Sequence, residues 1–195
     1  MTVSTQKNAF STGLDLKWAK TNPDGPLGFP KLVKDFVKLC ARLYVFPVPT
    51  IACLNGHAWA GGLMLAMSHD YRYMSKGKGE VCLPEIDIGM WLPPSMTKIV
   101  ATRVTPDVYR ELFYGGRFSP VEARQMRIVD DVSEPKDLFE TAMIRAKQLA
   151  KKDVNRVNLQ KIKYIAYKPV CDTAALSVEE DVNFSLPEFK WAAKL

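Results

Sequence analysis

The stretch Pro49-Thr-Ile-Ala-Cys-Leu-Asn-Gly-His-Ala-Trp-Ala-Gly-Gly62 carries the strongest structural signal in this chain of 195 residues. Its apolar run Ile51–Leu54 is typical of a buried strand, and Asn55-Gly56 follows as a turn. Gly61-Gly62 then opens a helix-like run, residues 63–67. A glycine pair between a strand and a helix lets backbone approach a ligand, and N–H groups at a helix start stabilise negative charge. The segment therefore predicts either an anion-stabilising site or a tightly packed turn.

The segments on either side alternate between helix and strand. Residues 31–44 place apolar side chains at helical spacing and lysines off that stripe, which predicts an amphipathic helix. Tyr71-Arg-Tyr-Met74 and Glu80-Val-Cys-Leu83 are predicted to be short strands. From Pro135 onward the pattern is helical and basic. We therefore predict an α/β core followed by a helical C-terminal region.

Composition narrows the class of protein. A chain with 47% hydrophobic residues can bury a core, and it contains no run of eighteen apolar residues that would predict a membrane span. The N-terminal residues 1–7 lack the apolar stretch of a secretory signal. The four cysteines have no paired spacing, and two histidines are too few for a histidine-rich metal cluster. We predict buried free thiols, and neither disulfides nor a metal site.

Three motifs in a fixed order resemble one known family. Asn8-Ala-Phe-Ser-Thr-Gly-Leu-Asp15, the glycine turn and Leu83-Pro-Glu-Ile-Asp-Ile-Gly89 are together similar to the crotonase superfamily of enoyl-CoA hydratases and isomerases. Ala66-Met-Ser-His-Asp-Tyr-Arg72 and the segment 112–130 resemble later parts of that family. The resemblance runs from about residue 3 to about residue 132. Within the superfamily it is strongest to the peroxisomal Δ3,Δ2-enoyl-CoA isomerases of plant type.

The resemblance implies a crotonase-like spiral core in residues 1–134 and a helical region, 135–195, that takes part in oligomerisation. Family members usually form trimers or pairs of trimers, so we expect a homo-oligomer. Chains of this superfamily normally begin several dozen residues earlier. The resemblance therefore predicts that the first strands of the core are missing here, which would leave a sheet edge unpaired.

Three residues map by motif position onto the family's chemistry. Glu85 corresponds to the catalytic glutamate, and its apolar neighbours predict a raised pKa that suits a proton shuttle. The backbone N–H groups of Ser11 and Gly61 correspond to the two donors that stabilise a thioester enolate. Without the resemblance, an ordinary loop serine and a capping or loop glutamate would be the better explanations of Ser11 and Glu85.

A second carboxylate of the hydratases is replaced here by Met64, three residues after Gly61. A thioether neither accepts a proton at neutral pH nor holds water strongly, so isomerisation with one base is favoured over hydration. The resemblance further implies substrate contacts at Ala9, Gly13, Gly62, Met64 and Trp91. Trp59, Met90, Trp91 and Leu92 are candidates for the walls of an acyl site, or for core packing.

The formal charge of +6 has three possible explanations. It could indicate nucleic-acid binding, a solvated helix face or attraction of the phosphates of coenzyme A. The basic residues concentrate in the helical segments 145–152 and 156–168, which favours the helix face. Coenzyme A would arrive as part of an acyl-CoA substrate, so no separate cofactor is predicted.

The C-terminal Ala193-Lys194-Leu195 is similar to the Ser-Lys-Leu type of peroxisomal address. We therefore predict a peroxisomal Δ3,Δ2-enoyl-CoA isomerase of fatty acid β-oxidation that meets a peroxisomal import receptor. The alternatives are a non-catalytic homologue that binds acyl-CoA or sister subunits, an enoyl-CoA hydratase, or an RNA-binding relative.

Overall fold

The computed structural model of the protein describes residues 1–21 and 28–182. The strands are β1 (Thr2–Val3), β2 (Ala9–Ser11), β3 (Ile51–Leu54), β4 (His57–Trp59), β5 (Tyr71–Ser75), β6 (Val81–Cys82), β7 (Arg117–Phe118) and β8 (Asp131–Ser133). The helices are α1 (Leu16–Thr21), α2 (Gly28–Tyr44), α3 (Gly61–Met67), α4 (Pro94–Ala101), α5 (Pro106–Phe113), α6 (Pro120–Gln125), α7 (Leu138–Ala150), α8 (Arg156–Ala166), α9 (Lys168–Ala175) and α10 (Val178–Asp181). A 3₁₀ helix, Pro84–Ile88, lies between β6 and α4.

The strands form two sheets between which the chain passes repeatedly. The first sheet has the order β1-β3-β5-β8 and is parallel throughout. The second has the order β2-β4-β6-β7, with β7 antiparallel to β6. Each of β1, β3 and β5 is followed in the chain by its counterpart in the second sheet, so the core is a spiral of strand pairs.

Local sequence explains the central elements. All four side chains of β3 are buried, as expected for a parallel strand that is covered on both faces. On α2 the apolar stripe is buried at helical spacing through Val33, Val37, Cys40 and Tyr44. The Tyr44 hydroxyl donates to the carbonyl of Ile99 at 2.6 Å, so this large side chain enters the core with its polar end satisfied.

Three turns that connect the two sheets stack in direct backbone contact. A Cβ atom on Gly56 would lie 2.2 Å from the carbonyl carbon and oxygen of Asn8, and one on Gly79 would lie 2.8 Å from the carbonyl carbon of Gly56. The amide of His57 donates to the carbonyl of Asn8 at 3.0 Å. Because backbone meets backbone here, only glycine fits at positions 56 and 79.

Two cationic side chains, Arg103 and Lys163, attach the C-terminal helices to the core. Arg103 lies between the rings of Tyr44 and Tyr167, 4.4 Å from each centroid. The buried Lys163 ammonium donates to the carbonyl of Phe46 and, at 2.6 Å, to the carboxylate of Asp70. A buried charge needs such partners, because the loss of its hydration is otherwise uncompensated. Helices α8 and α9 are thereby joined to the segments around β3 and β5.

The predicted α/β class and the helical C-terminal region are confirmed, and the predicted elements lie where expected. The strand β4 was not predicted. It has only three residues, which lie between the turn at Asn55-Gly56 and the glycine pair, and so it shows no strand pattern in the sequence.

All four cysteines are free, as expected, and three of them are buried. Among the described residues no helix is both long and apolar enough to cross a membrane. The domain boundary after residue 134 stays a prediction, and α7 packs on β3 and β5 of the core.

The turn stack predicts a large difference between two glycine substitutions. Gly56→Ala should lower the free energy of unfolding by about 2–3 kcal/mol, because its methyl group would overlap the backbone of Asn8. Gly77→Ala is the control and should change it by less than about 0.5 kcal/mol, because its methyl group would meet the Ser75 hydroxyl at 3.5 Å and the Pro135 side chain at 4.0 Å, which are ordinary contact distances. Urea unfolding measures both, and equal values for the two variants would contradict the stacking.

Candidate active site

A cavity of about 330 Å³ opens where β2, β4 and β6 end. These three strands run parallel, so their carboxyl ends meet at one edge of the second sheet. Ligands of α/β proteins commonly bind at this edge, because the loops that follow the strands converge there. Here the loops carry Thr12 after β2, Ala60 and Gly61 after β4, and Glu85 after β6.

The walls of the cavity are mostly apolar and come from several elements. The β2 loop, α2, the segment after the 3₁₀ helix, α4 and the end of α10 all contribute. The remaining lining residues are Leu14, Leu16, Phe29, Val33, Pro84, Ile88, Gly89, Met90, Trp91, Leu92, Pro93, Met96 and Val182. Such a lining suits an aliphatic or otherwise apolar ligand group.

Glu85 is the one carboxylate among the described residues that line the cavity. It lies in the first turn of the 3₁₀ helix and is 9% exposed. Its Oε2 atom is buried and accepts no hydrogen bond from any described residue. Burial raises the pKa of Glu85 above its ordinary value, while a hydrogen bond from its own backbone amide acts in the opposite direction. An acid of this kind can exchange a proton with a bound molecule near neutral pH.

The first turn of α3 faces the same cavity. Ala60, which precedes the helix, has φ 52° and ψ −128°, an uncommon conformation for a residue with a side chain. Gly61 and Gly62 follow as the first helical residues, whose amides have no acceptor within the helix. A Cβ atom on Gly62 would lie 2.0 Å from the carbonyl oxygen of Ser11. The glycine therefore holds α3 directly against the end of β2.

The structure brings several of the predicted residues together and separates others. Gly61, Glu85 and Trp91 line the cavity, as do Met90 and Leu92. Ser11 ends β2 immediately before Thr12, and Gly13 packs on Ala60, since a Cβ on Gly13 would lie 3.1 Å from the Cβ of Ala60.

Six of the predicted residues are not among the described lining residues, namely Ala9, Ser11, Gly13, Trp59, Gly62 and Met64. Met64 is fully buried in the hydrophobic core, and Ala9 pairs with His57 inside the second sheet. Trp59 packs under the Arg117 guanidinium, which lies 5.2 Å from its ring centroid. The substrate contacts assigned to Ala9 and Met64 stay predictions, as does the catalytic assignment of Glu85, Ser11 and Gly61.

Sequence analysis missed most of the cavity wall. Phe29 and Val33 lie on the apolar stripe of α2, and Met96 lies on α4. A helix stripe that faces a cavity has the same spacing as one that faces a core, so periodicity does not distinguish them. The nearest available signal is the pair Pro93-Pro94, which marks the start of α4.

The geometry fits proton transfer next to an oxygen that gains negative charge. One base with a raised pKa faces an apolar space, and amides from a helix start lie beside it. Among the described residues no group of three or more His, Cys, Asp and Glu side chains could hold a metal ion.

Comparison with known proteins agrees with this geometry. Residues 2–186 match the family model described as enoyl-CoA hydratase/isomerase. The chain is 35% identical over 182 residues to enoyl-CoA delta isomerase 3 of Arabidopsis thaliana, an alignment that covers 91% of this chain and 76% of that relative. It is 40% identical over 129 residues to the peroxisomal enoyl-CoA delta isomerase 2 of the same plant, with 64% and 54% covered.

A solved structure has the same fold. An enoyl-CoA hydratase/isomerase family protein from Pseudomonas syringae superposes with a TM-score of 0.81 at 28% identity. The superposition covers 90% of this chain and 74% of the other.

The residues of the predicted peroxisomal address, Ala193, Lys194 and Leu195, lie outside the described residues. One of the two plant relatives is named as peroxisomal and the other carries no compartment in its name. The compartment of this chain therefore stays a prediction.

The buried carboxyl predicts how stability changes with pH. Because the pKa of Glu85 is raised in the folded state, the folded state holds its proton more tightly than the unfolded state does. The contribution of Glu85 to the free energy of unfolding is therefore fully present below the pKa that it has in the unfolded chain. This contribution is lost as pH rises through the higher pKa that Glu85 has in the folded protein. Glu85→Gln removes the charge, so the variant should be more stable than the wild type at pH 7.

Urea unfolding of both proteins at pH 7 and at pH 4 measures this difference. The advantage of the variant should shrink or vanish at the lower pH. An advantage of equal size at both pH values would show that the Glu85 charge is not the cause.

Proposed function

The chain belongs to the enoyl-CoA hydratase/isomerase family, and from this membership and the cavity we propose that it is a Δ3,Δ2-enoyl-CoA isomerase. The observation that carries the proposal is that Glu85, which is buried, is the one carboxylate among the described residues that line the apolar cavity beside the start of α3. The substrate is a fatty acyl-CoA thioester with a double bond at position 3. The product carries the double bond at position 2, in conjugation with the carbonyl.

In the proposed reaction Glu85 removes a proton from carbon 2, between the thioester carbonyl and the double bond. The electron pair of that C–H bond forms a dienolate whose negative charge lies largely on the thioester oxygen. The protonated Glu85 then returns the proton to carbon 4, and the double bond moves to position 2. The raised pKa of Glu85 supports both steps, because the group must accept and release a proton near neutral pH.

The backbone amides of Ser11 and Gly61 are the proposed donors to the enolate oxygen. Their loops are held together by the close approach of Gly62 to the Ser11 carbonyl. Donors fixed in this way need no rearrangement when charge develops, which is the basis of oxyanion stabilisation. The hydroxyl of Ser11 accepts a hydrogen bond from the Gly13 amide at 3.3 Å and has no part in the proposed reaction.

Isomerisation is favoured over hydration because a second carboxylate is lacking among the described lining residues. Two carboxylates would be needed to orient and activate an attacking water. Met64 occupies the corresponding position and is buried in the core. The nearby Asp87 is not among the described lining residues, and its Oδ2 atom lies 3.8 Å from the Arg117 guanidinium.

We also propose a homo-oligomer in the peroxisome. Exposed apolar side chains on α8, which are Val157, Ile162 and Ile165, support self-association of the helical region. The peroxisomal relative and the C-terminal tripeptide support the compartment. Coenzyme A enters with the substrate, and the proposed reaction uses no other cofactor.

Activity on 3-hexenoyl-CoA tests the function directly. The purified protein should convert it to the conjugated 2-enoyl product, and Glu85→Gln should lower kcat by about 10²–10⁴-fold because the base is lost. The control is Glu134→Gln, which removes an exposed carboxylate paired with Lys76 and should leave kcat unchanged.

Product analysis distinguishes the alternatives. A 3-hydroxyacyl product would indicate a hydratase. Tight binding of the thioester without turnover by folded wild-type protein would overturn the isomerase and indicate a homologue that only binds acyl-CoA.

A further inference from the structure

The position of Glu85 depends on the backbone that carries it. Its Oε2 atom accepts no hydrogen bond from any described residue, so no side chain holds that end of the carboxylate. The 3₁₀ helix is closed by the amide of Met90, which donates to the Glu85 carbonyl at 2.9 Å. It ends at Gly89 in the left-handed conformation, with φ 68°. Whatever fixes this short helix therefore fixes the carboxylate.

The 3₁₀ helix has little apolar packing to hold it in place. Ile86 and Ile88 are 55% and 58% exposed. Between them Asp87 points towards the turn that leads into β7. A Cβ atom on Gly115 in that turn would lie 3.0 Å from the Asp87 Oδ1 atom, and Gly115 has φ 80°. The missing side chain at Gly115 thus makes room for the Asp87 carboxylate.

Arg117 on β7 connects this carboxylate to two other segments of the site. Its Nη2 atom lies 3.8 Å from Asp87 Oδ2, and its Nη1 atom lies 3.9 Å from Glu80 Oε2. Its guanidinium also covers the ring of Trp59. Glu80 precedes β6, and Trp59 ends β4 just before Ala60 and Gly61. Arg117 therefore contacts the 3₁₀ helix that carries Glu85, the residue that precedes β6, and the end of β4, which leads to α3.

We propose that Arg117 is a positioning residue for Glu85, acting through Asp87. This inference rests on the proposed function for its kinetic consequences, because it assigns Glu85 as the base. Arg117 is not among the residues that line the cavity within the described chain, so it acts on the base without touching the substrate.

We expect the loss of Arg117 to change the position of Glu85 more than the free energy of unfolding. Ion pairs between half-exposed side chains contribute little to folding, since solvent and salt screen them. A reacting group displaced by about 1 Å can nevertheless lose on the order of 10²-fold in rate. A small shift of the 3₁₀ helix would therefore lower kcat while the apolar cavity continued to bind the acyl chain.

The kinetic experiment uses a matched control ion pair. Arg124 lies 3.7 Å from Asp131 with nearly the same exposure as the Arg117–Asp87 pair, and it lies on α6 outside the cavity. Arg117→Gln should lower kcat by about tenfold or more with KM within about twofold, and Arg117→Lys should recover part of the loss. Arg124→Gln should change neither.

A double variant tests the route through Asp87. Asp87→Asn should lower kcat in the same direction as Arg117→Gln, and the double variant should lose little more than Arg117→Gln alone, because the loss of Arg117 already removes its contact with Asp87. Independent, additive losses would overturn the proposed coupling.

Amide hydrogen exchange provides a measurement that needs no activity. The Met90 amide should exchange faster in Arg117→Gln than in the wild type and in Arg124→Gln, while the amide of Met74 in β5 should be unchanged. If wild-type protein is inactive but Met90 responds, the proposed function fails and the structural role of Arg117 stands. If the wild type is active and Arg117→Gln matches Arg124→Gln in kcat and exchange, the inference about Arg117 is wrong.

Discussion

The close stacking of three turns is the constraint on which the rest of this structure depends. At Asn8, Gly56 and Gly79 the chain leaves one sheet and enters the other, and the three backbones touch. This contact fixes the relative heights of β2, β4 and β6, because each strand starts just after its turn. The strands then end together, so the residues after them converge. Convergence of Thr12, Gly61 and Glu85 on one cavity is therefore a consequence of glycine packing some distance away.

The start of α3 and the carboxylate of Glu85 are positioned in different ways. The first turn of α3 is placed by Gly62 against the Ser11 carbonyl, where a single added methyl group would overlap. The carboxylate of Glu85 is instead placed by a short, exposed 3₁₀ helix and kept in an apolar setting that raises its pKa. Burial disfavours the charged form of this carboxyl, as is common for carboxyl groups in functional sites.

Much of the fold could be predicted because its signals are local. Ile51–Leu54 is a continuous apolar run, and the stripe on α2 repeats at helical spacing, so both elements follow from side-chain periodicity. The glycine pair at 61–62 and the Pro84-Glu85 segment pointed to the cavity through resemblance. Sequence did not reveal β4 or the wall residues Phe29 and Met96, because short strands and cavity-facing stripes depend on contacts between distant segments. The ion pairs of Arg117 were missed for the same reason.

The centre of the site is formed by backbone amides, whereas the cavity wall is formed by side chains. This difference affects which parts of the site can change during evolution. Amides at Gly61 and Ser11 survive almost any exchange of neighbouring side chains, provided that the glycines remain. Leu14, Val33 and Met96, by contrast, come from three separate elements and shape the apolar space. Under the proposed function, single exchanges in the wall can therefore alter the size of the acyl group that fits, while the backbone geometry at Ser11 and Gly61 is inherited unchanged.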